Sequence, residues 1–188
     1  MFSLKGKVAL ITGSTKGIGK SIAEEMANLG AKVVISSRKA DACDKVAAEF
    51  TARGQEALAV PCNVGDKAAA QSLVDTVMNK WGRIDSLVCN AASNPHFGPL
   101  TTATDDVFDK IMSTNVKSVF WLANMVLPTM AERGEGGSMI IISSIGALRG
   151  SQVLGLYGTS KAAEAGLARA LAVQWGDKNI REIGRAHV

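Results

Sequence analysis

Short, nearly continuous apolar runs alternate along this chain with longer segments of helical spacing, and this alternation restricts its fold more than any other feature. The runs fall at residues 8–11, 33–35, 57–60, 86–89 and 139–142, and the helical segments at 18–29, 42–51, 68–81, 106–130 and 157–175. A strand that is apolar at consecutive positions is buried on both faces, as in a parallel sheet covered by helices. Crossovers between parallel strands are right-handed, so successive helices cover the two faces of such a sheet. The pattern predicts an α/β fold of Rossmann type, a doubly wound parallel sheet with helices on both faces. With 188 residues, 47% of them hydrophobic, there is material for one core and not for two.

Several function classes are disfavoured. The formal charge is +4, but lysines and arginines are interspersed with acids and form no stripe, so no nucleic-acid partner is expected. No apolar stretch has the length of a membrane span, and the run at 8–11 is too short for a signal-peptide core. Cys43, Cys62 and Cys89 form no Cys-x-x-Cys pair and have no histidines spaced as co-ligands. They are expected as buried thiols in a reducing compartment, the cytoplasm, with no metal.

In an open parallel sheet, ligands bind beyond the carboxyl ends of the strands. The first strand is followed by Gly13, Ser14, Thr15, Lys16, Gly17, Ile18 and Gly19, leading into a helix. Glycines allow a tight turn and close approach of a diphosphate, and a helix N-terminus offers amide donors and a favourable dipole. Ser37 and Arg38 follow the second strand, where a dinucleotide site meets the adenosine ribose. An acid there would favour a free 2′-hydroxyl. A hydroxyl and a guanidinium, with Lys16 opposite, favour a 2′-phosphate, hence NADP(H) over NAD(H). Asp41 is expected to cap the next helix. Asn63 and Val64 after the third strand, and Asn90, Ala91 and Ala92 after the fourth, complete the cofactor set; Asn63 could meet an adenine edge.

Around the fifth strand stand Ser144, Tyr157 and Lys161. Tyr157 and Lys161 are one helical turn apart and share a face. A tyrosine with an ordinary pKa near 10 needs a stabilised phenolate to exchange protons at neutral pH, and a lysine ammonium would lower that pKa. A serine hydroxyl would orient the substrate oxygen.

These residues together resemble the short-chain dehydrogenase/reductase family. Its TGxxxGIG motif corresponds to residues 12–19, its NNAG motif to Cys89-Asn90-Ala91-Ala92, and its Ser…YxxxK site to Ser144, Tyr157 and Lys161. The resemblance implies an NADP(H)-dependent oxidoreductase acting on a small carbonyl or alcohol, with Tyr157 as acid/base and Lys161 holding the nicotinamide ribose. Tyr157 and Lys161 thus belong to both the catalytic and the cofactor-binding sets. Asn115 matches the family asparagine that links a relay water to the lysine. Residues 90–98 are similar to those of the carbonyl and retinal reductases called dehydrogenase/reductase member 4, and to bacterial relatives. His96 and Phe97 are candidates for the substrate entrance. Asn63, Cys89 and Ala92 depart from the usual aspartate, asparagine and glycine. A homodimer or homotetramer is implied for an intact enzyme.

Beyond Arg181 the family pattern continues with a strand, a nicotinamide-clamping turn and a substrate lid, whereas this chain ends in Glu182-Ile183-Gly184-Arg185-Ala186-His187-Val188. No sixth strand is expected, and the fifth should present an open edge. One codon spelling of these seven residues contains the start of a sequencing adapter, so a domain at 1–181 and a non-native tail at 182–188 are expected. Two other readings stand beside the oxidoreductase: a truncated, inactive dinucleotide-binding fragment, and an epimerase or dehydratase of the family's extended branch, whose glycine spacing differs.

Overall fold

The computed structural model describes residues 2–187. Six parallel strands form one sheet: β1 (Val8–Thr12), β2 (Lys32–Ser36), β3 (Ala57–Ala59), β4 (Ser86–Cys89), β5 (Gly137–Ser144) and β6 (Ile180–His187). Their spatial order is β3-β2-β1-β4-β5-β6. The order reverses between β1 and β4, which opens a crevice above their carboxyl ends.

Successive side chains of a strand point to opposite faces, and each face here is covered by helices. Val8 and Leu10 of β1 join Leu87 and Cys89 of β4 and Met139 and Ile141 of β5 in one cluster, beneath α3 (Lys67–Trp81), α5 (Ser118–Arg133) and α6 (Gly155–Trp175). Ala9, Ile11, Val33 and Ile35 point the other way, toward α1 (Gly17–Asn28) and α2 (Ala40–Thr51). This two-sided burial is why the strands read as unbroken apolar runs. Coverage of the α1 face is incomplete: a groove of about 740 Å³, lined by Phe2, Ile18, Ile22, Met26 and Ile140 among others, lies beside α1.

Three expectations need correction. A sixth strand does form, paired with β5 from Gly137↔Ile180 to Ser144↔His187. A ladder needs backbone groups more than an apolar run, and among the described side chains of this strand Ile180 alone enters the large core cluster. Val188 lies outside the described residues. The single helix expected at 106–130 is divided: α4 (Asp105–Ile111) runs into a π-helical turn at Met112–Lys117, and α5 follows. Asp41 is not a cap, because α2 begins at Ala40 with Lys39 preceding it; Asp41 sits in the first turn, where its charge still complements the helix dipole.

Candidate active site

Above the β1–β4 crevice lies a cleft of about 440 Å³. Gly13, Thr15, Lys16, Gly17, Ile18, Gly19, Ser37, Arg38, Asn63, Val64, Asn90, Ala91 and Ala92 all line it, so the carboxyl ends of β1, β2, β3 and β4 converge as the sequence predicts. Gly13 has a left-handed φ of +68°, and a Cβ there would come within 2.8 Å of the Asn90 amide. Asn90 Nδ2 donates to the carbonyls of Thr12 at 2.9 Å and Gly13 at 3.1 Å, while Thr12 Oγ1 accepts from the Asn90 and Ala91 amides at 3.1 Å. The glycine loop is thereby sewn to the end of β4.

Ser14 does not line the cleft. Its hydroxyl is buried, donates to the Ile11 carbonyl at 2.7 Å and accepts from the Ser36 amide at 2.9 Å. It fastens the loop from beneath. Lys16 and Arg38 are exposed at the rim, and among the described residues no acid lines the cleft. Asn63 is exposed, its Oδ1 accepting from the Gly65 amide at 3.3 Å.

The catalytic candidates gather at the end of β5. Ser144 is its last residue, and the turn Ile145–Ala147 then brings Gly146 against Gly158 in the first turn of α6. A Cβ on Gly158 would meet the Gly146 carbonyl at 2.7 Å, so this approach demands glycine. It brings Tyr157 beside Ser144. Lys161 Nζ lies 5.6 Å from the Tyr157 ring centre.

Here the electrostatics differ from expectation. Burial pushes the Tyr157 phenol up, the charge of Glu164 adds to this, and a hydrogen bond with Ser144 opposes it; the net direction is upward. Lys161 does not bring the phenol down, because its ammonium donates to the Ile142 carbonyl at 2.9 Å and to both oxygens of Glu164 at 2.9 and 3.1 Å. Asn115 is wholly buried in the π-helical turn. Its Oδ1 accepts from the Ser93 amide at 2.7 Å, and its Nδ2 donates to the Ser93 carbonyl at 3.1 Å and to Ser160 Oγ at 2.9 Å. It braces the segment after β4 against α6. π-Turns of this kind recur at functional sites.

Sequence reasoning missed four lining residues, Cys62, Ser93, Lys110 and Thr114, and it missed Glu164. Glu164 could have been found, since it stands three residues beyond Lys161 on one helix face. Lys110 and Thr114 could not, because no local motif places α4 and the π-turn over the crevice. His96 pairs with Thr102 at 2.9 Å, and Phe97 projects into solvent.

The chain matches the short chain dehydrogenase family over residues 7–184. It belongs to that family. Among curated proteins, the chain is similar to dehydrogenase/reductase SDR family member 4 of Sus scrofa, at 44% identity over 95% of this chain and 63% of that protein. The corresponding Homo sapiens protein is 42% identical over 95% of this chain and 64% of its own length. The chain thus spans somewhat under two thirds of these relatives. Among solved structures, a 7α-hydroxysteroid dehydrogenase complexed with NADH and 7-oxo glycochenodeoxycholic acid superposes with a TM-score of 0.93 at 36% identity, over 98% of this chain and 71% of that one. A short-chain type dehydrogenase/reductase from Mycobacterium marinum gives 0.93 at 34% identity, over 98% and 75%.

Proposed function

We propose that this protein is an NADP(H)-dependent oxidoreductase that moves a hydride between the nicotinamide and a small carbonyl or secondary-alcohol substrate. The observation that carries the reading is the convergence of Ser144, Tyr157 and Lys161 at the same sheet end as the glycine-lined cleft. The cleft residues fit a dinucleotide. Glycine backbone and the α1 N-terminus suit a diphosphate, and Arg38, Lys16 and Ser37 suit a 2′-phosphate with no acid to repel it. A relative of 36% identity is described with NADH, so the preference for NADP(H) rests on these side chains.

When bound, the cofactor would give the hydride in reduction and accept it in oxidation. Ser144 donates a hydrogen bond to the substrate oxygen, and Tyr157 gives its proton to that oxygen in reduction or takes it in oxidation. A phenol pushed upward stays protonated at neutral pH, the form that can give its proton to the substrate oxygen. Lys161, once its ammonium is free of Glu164, would serve the nicotinamide ribose and the phenol, and Asn115 holds the floor of the proton path. Three buried, unpaired thiols support a cytoplasmic setting. Exposed Phe120 on α5 and Val173 on α6 support self-association through these helices.

Tyr157→Phe keeps the ring and removes the proton. Consumption of NADPH across a panel of aldehydes and ketones should fall by about 10²- to 10⁴-fold, with melting temperature and cofactor binding retained. Unchanged turnover in the variant contradicts the assignment. The capture of Lys161 by Glu164 favours a second reading, a dinucleotide-binding module without turnover. NADPH binding with no consumption across the panel would decide for it.

A further inference from the structure

The Lys161 ammonium donates to the Ile142 carbonyl and to the two oxygens of Glu164. The lysine and glutamate side chains are 3% and 2% exposed, so water does not compete for the pair. None of these three contacts reaches Tyr157. We propose that Glu164 is a positioning residue: its carboxylate captures the Lys161 ammonium, and Lys161 acts on Tyr157 only when that carboxylate lets go. The inference rests on the reading of Tyr157 as the proton carrier.

The surroundings of Glu164 make release accessible. On its own helix it faces Lys161 and Tyr157, and the buried Cys89 of β4 feels both Glu164 and Glu182 of β6. β5 and residues 145–147 carry no titratable side chain, while Lys117 of the π-turn and the charged residues of α4 face water. Burial pushes Glu164 up to about 7 against the attraction of Lys161, so both protonation states are populated near neutrality. Below that value the carboxyl is neutral and demands no counter-charge, which frees the ammonium to favour a phenolate. Above it the pair closes and Tyr157 loses that support.

The chain contains one tyrosine, so the ultraviolet absorbance of tyrosinate reports Tyr157 alone, without cofactor or turnover. Glu164→Gln should raise the phenolate fraction at a given alkaline pH by about tenfold or more, one unit of midpoint. Glu164→Asp keeps the charge and should titrate close to the unmodified chain. In a Lys161→Met background the Glu164→Gln effect should shrink below about threefold, because the coupling runs through the lysine. An unshifted midpoint in a Glu164→Gln protein that melts cooperatively overturns the proposal, as does a full shift that persists without Lys161. Glu164→Leu makes the same prediction and replaces the glutamine variant if that one does not fold. A shifted titration with no turnover would sink the oxidoreductase reading alone; turnover with an unshifted titration would sink the capture alone.

Discussion

Glu182 places a carboxylate where the sheet offers it nothing. Among the described residues both of its oxygens are buried without a hydrogen-bond partner, and burial pushes its pKa up to about 7. A buried polar group left unpaired costs about 1–3 kcal/mol, and a β-branched side chain suits a strand better. Glu182→Val should therefore raise the urea midpoint by a corresponding amount with an unchanged slope; an equal or lower midpoint would show that this carboxylate has a partner in solution. At this scale much of the site was legible, because the glycine loop, Arg38, Tyr157 and Lys161 stand at fixed offsets from strands that the apolar runs reveal. The glycine motif puts Ser14 among the cofactor residues, but spacing does not tell which way a hydroxyl turns, and this one turns to Ile11 and Ser36. Lys161 was expected to serve Tyr157, and the partner that holds it lies one turn further along the same helix.

Elements were legible where local pattern creates them. The five apolar runs became β1 to β5, and α3 shows its limits in chain chemistry: Asp66 accepts from the Ala69 amide at 2.9 Å at its start, and Gly82 ends it in a left-handed conformation. β6 was not legible, since its sequence has no apolar run and its pairing is decided by the neighbouring edge of β5. The π-turn was hidden too, because no local motif marks it and the segments on both sides of it are helical. The contact between the turn at 145–147 and α6 is the most sensitive joint of the site. Gly158→Ala forces a methyl against the Gly146 carbonyl. Relief should move α6 away from β5, costing about 1–3 kcal/mol of stability and lowering turnover more than NADPH binding. Normal turnover in that variant would show that Ser144 and Tyr157 do not depend on this approach.

Over the whole molecule, acids of opposite tendency set the pH dependence of stability. Glu164 and Glu182 rise from 4.5 to about 7 on folding, so the folded chain holds more protons than the unfolded one across that interval. Stability should consequently fall as pH rises from about 4.5 to 7. At the opposite end of the sheet, burial raises Asp85, but hydrogen bonds from Arg83 and the Val8 amide and the charge of Arg133 outweigh it and leave the carboxyl below its usual range. Its contribution is present above the ordinary aspartate value and is lost on acidification. A melting series should show a maximum on the acid side of neutrality, and Glu182→Val should flatten the alkaline decline; a melting temperature that climbs steadily from pH 5 to about 8 would contradict the burial of these acids. The groove beside α1 shows that β4 to β6 are less fully covered on that face than on the other. The cleft lies at the carboxyl ends of the strands, away from the Asp85 cluster, so binding there tests the central claim directly. Fluorescence titration of the chain and of Arg38→Ala with NADPH and NADH should show NADPH bound more tightly by the unmodified chain, with a loss of about tenfold or more for NADPH alone in the variant. Equal affinity for the two cofactors, or a preference untouched by Arg38→Ala, would contradict the account.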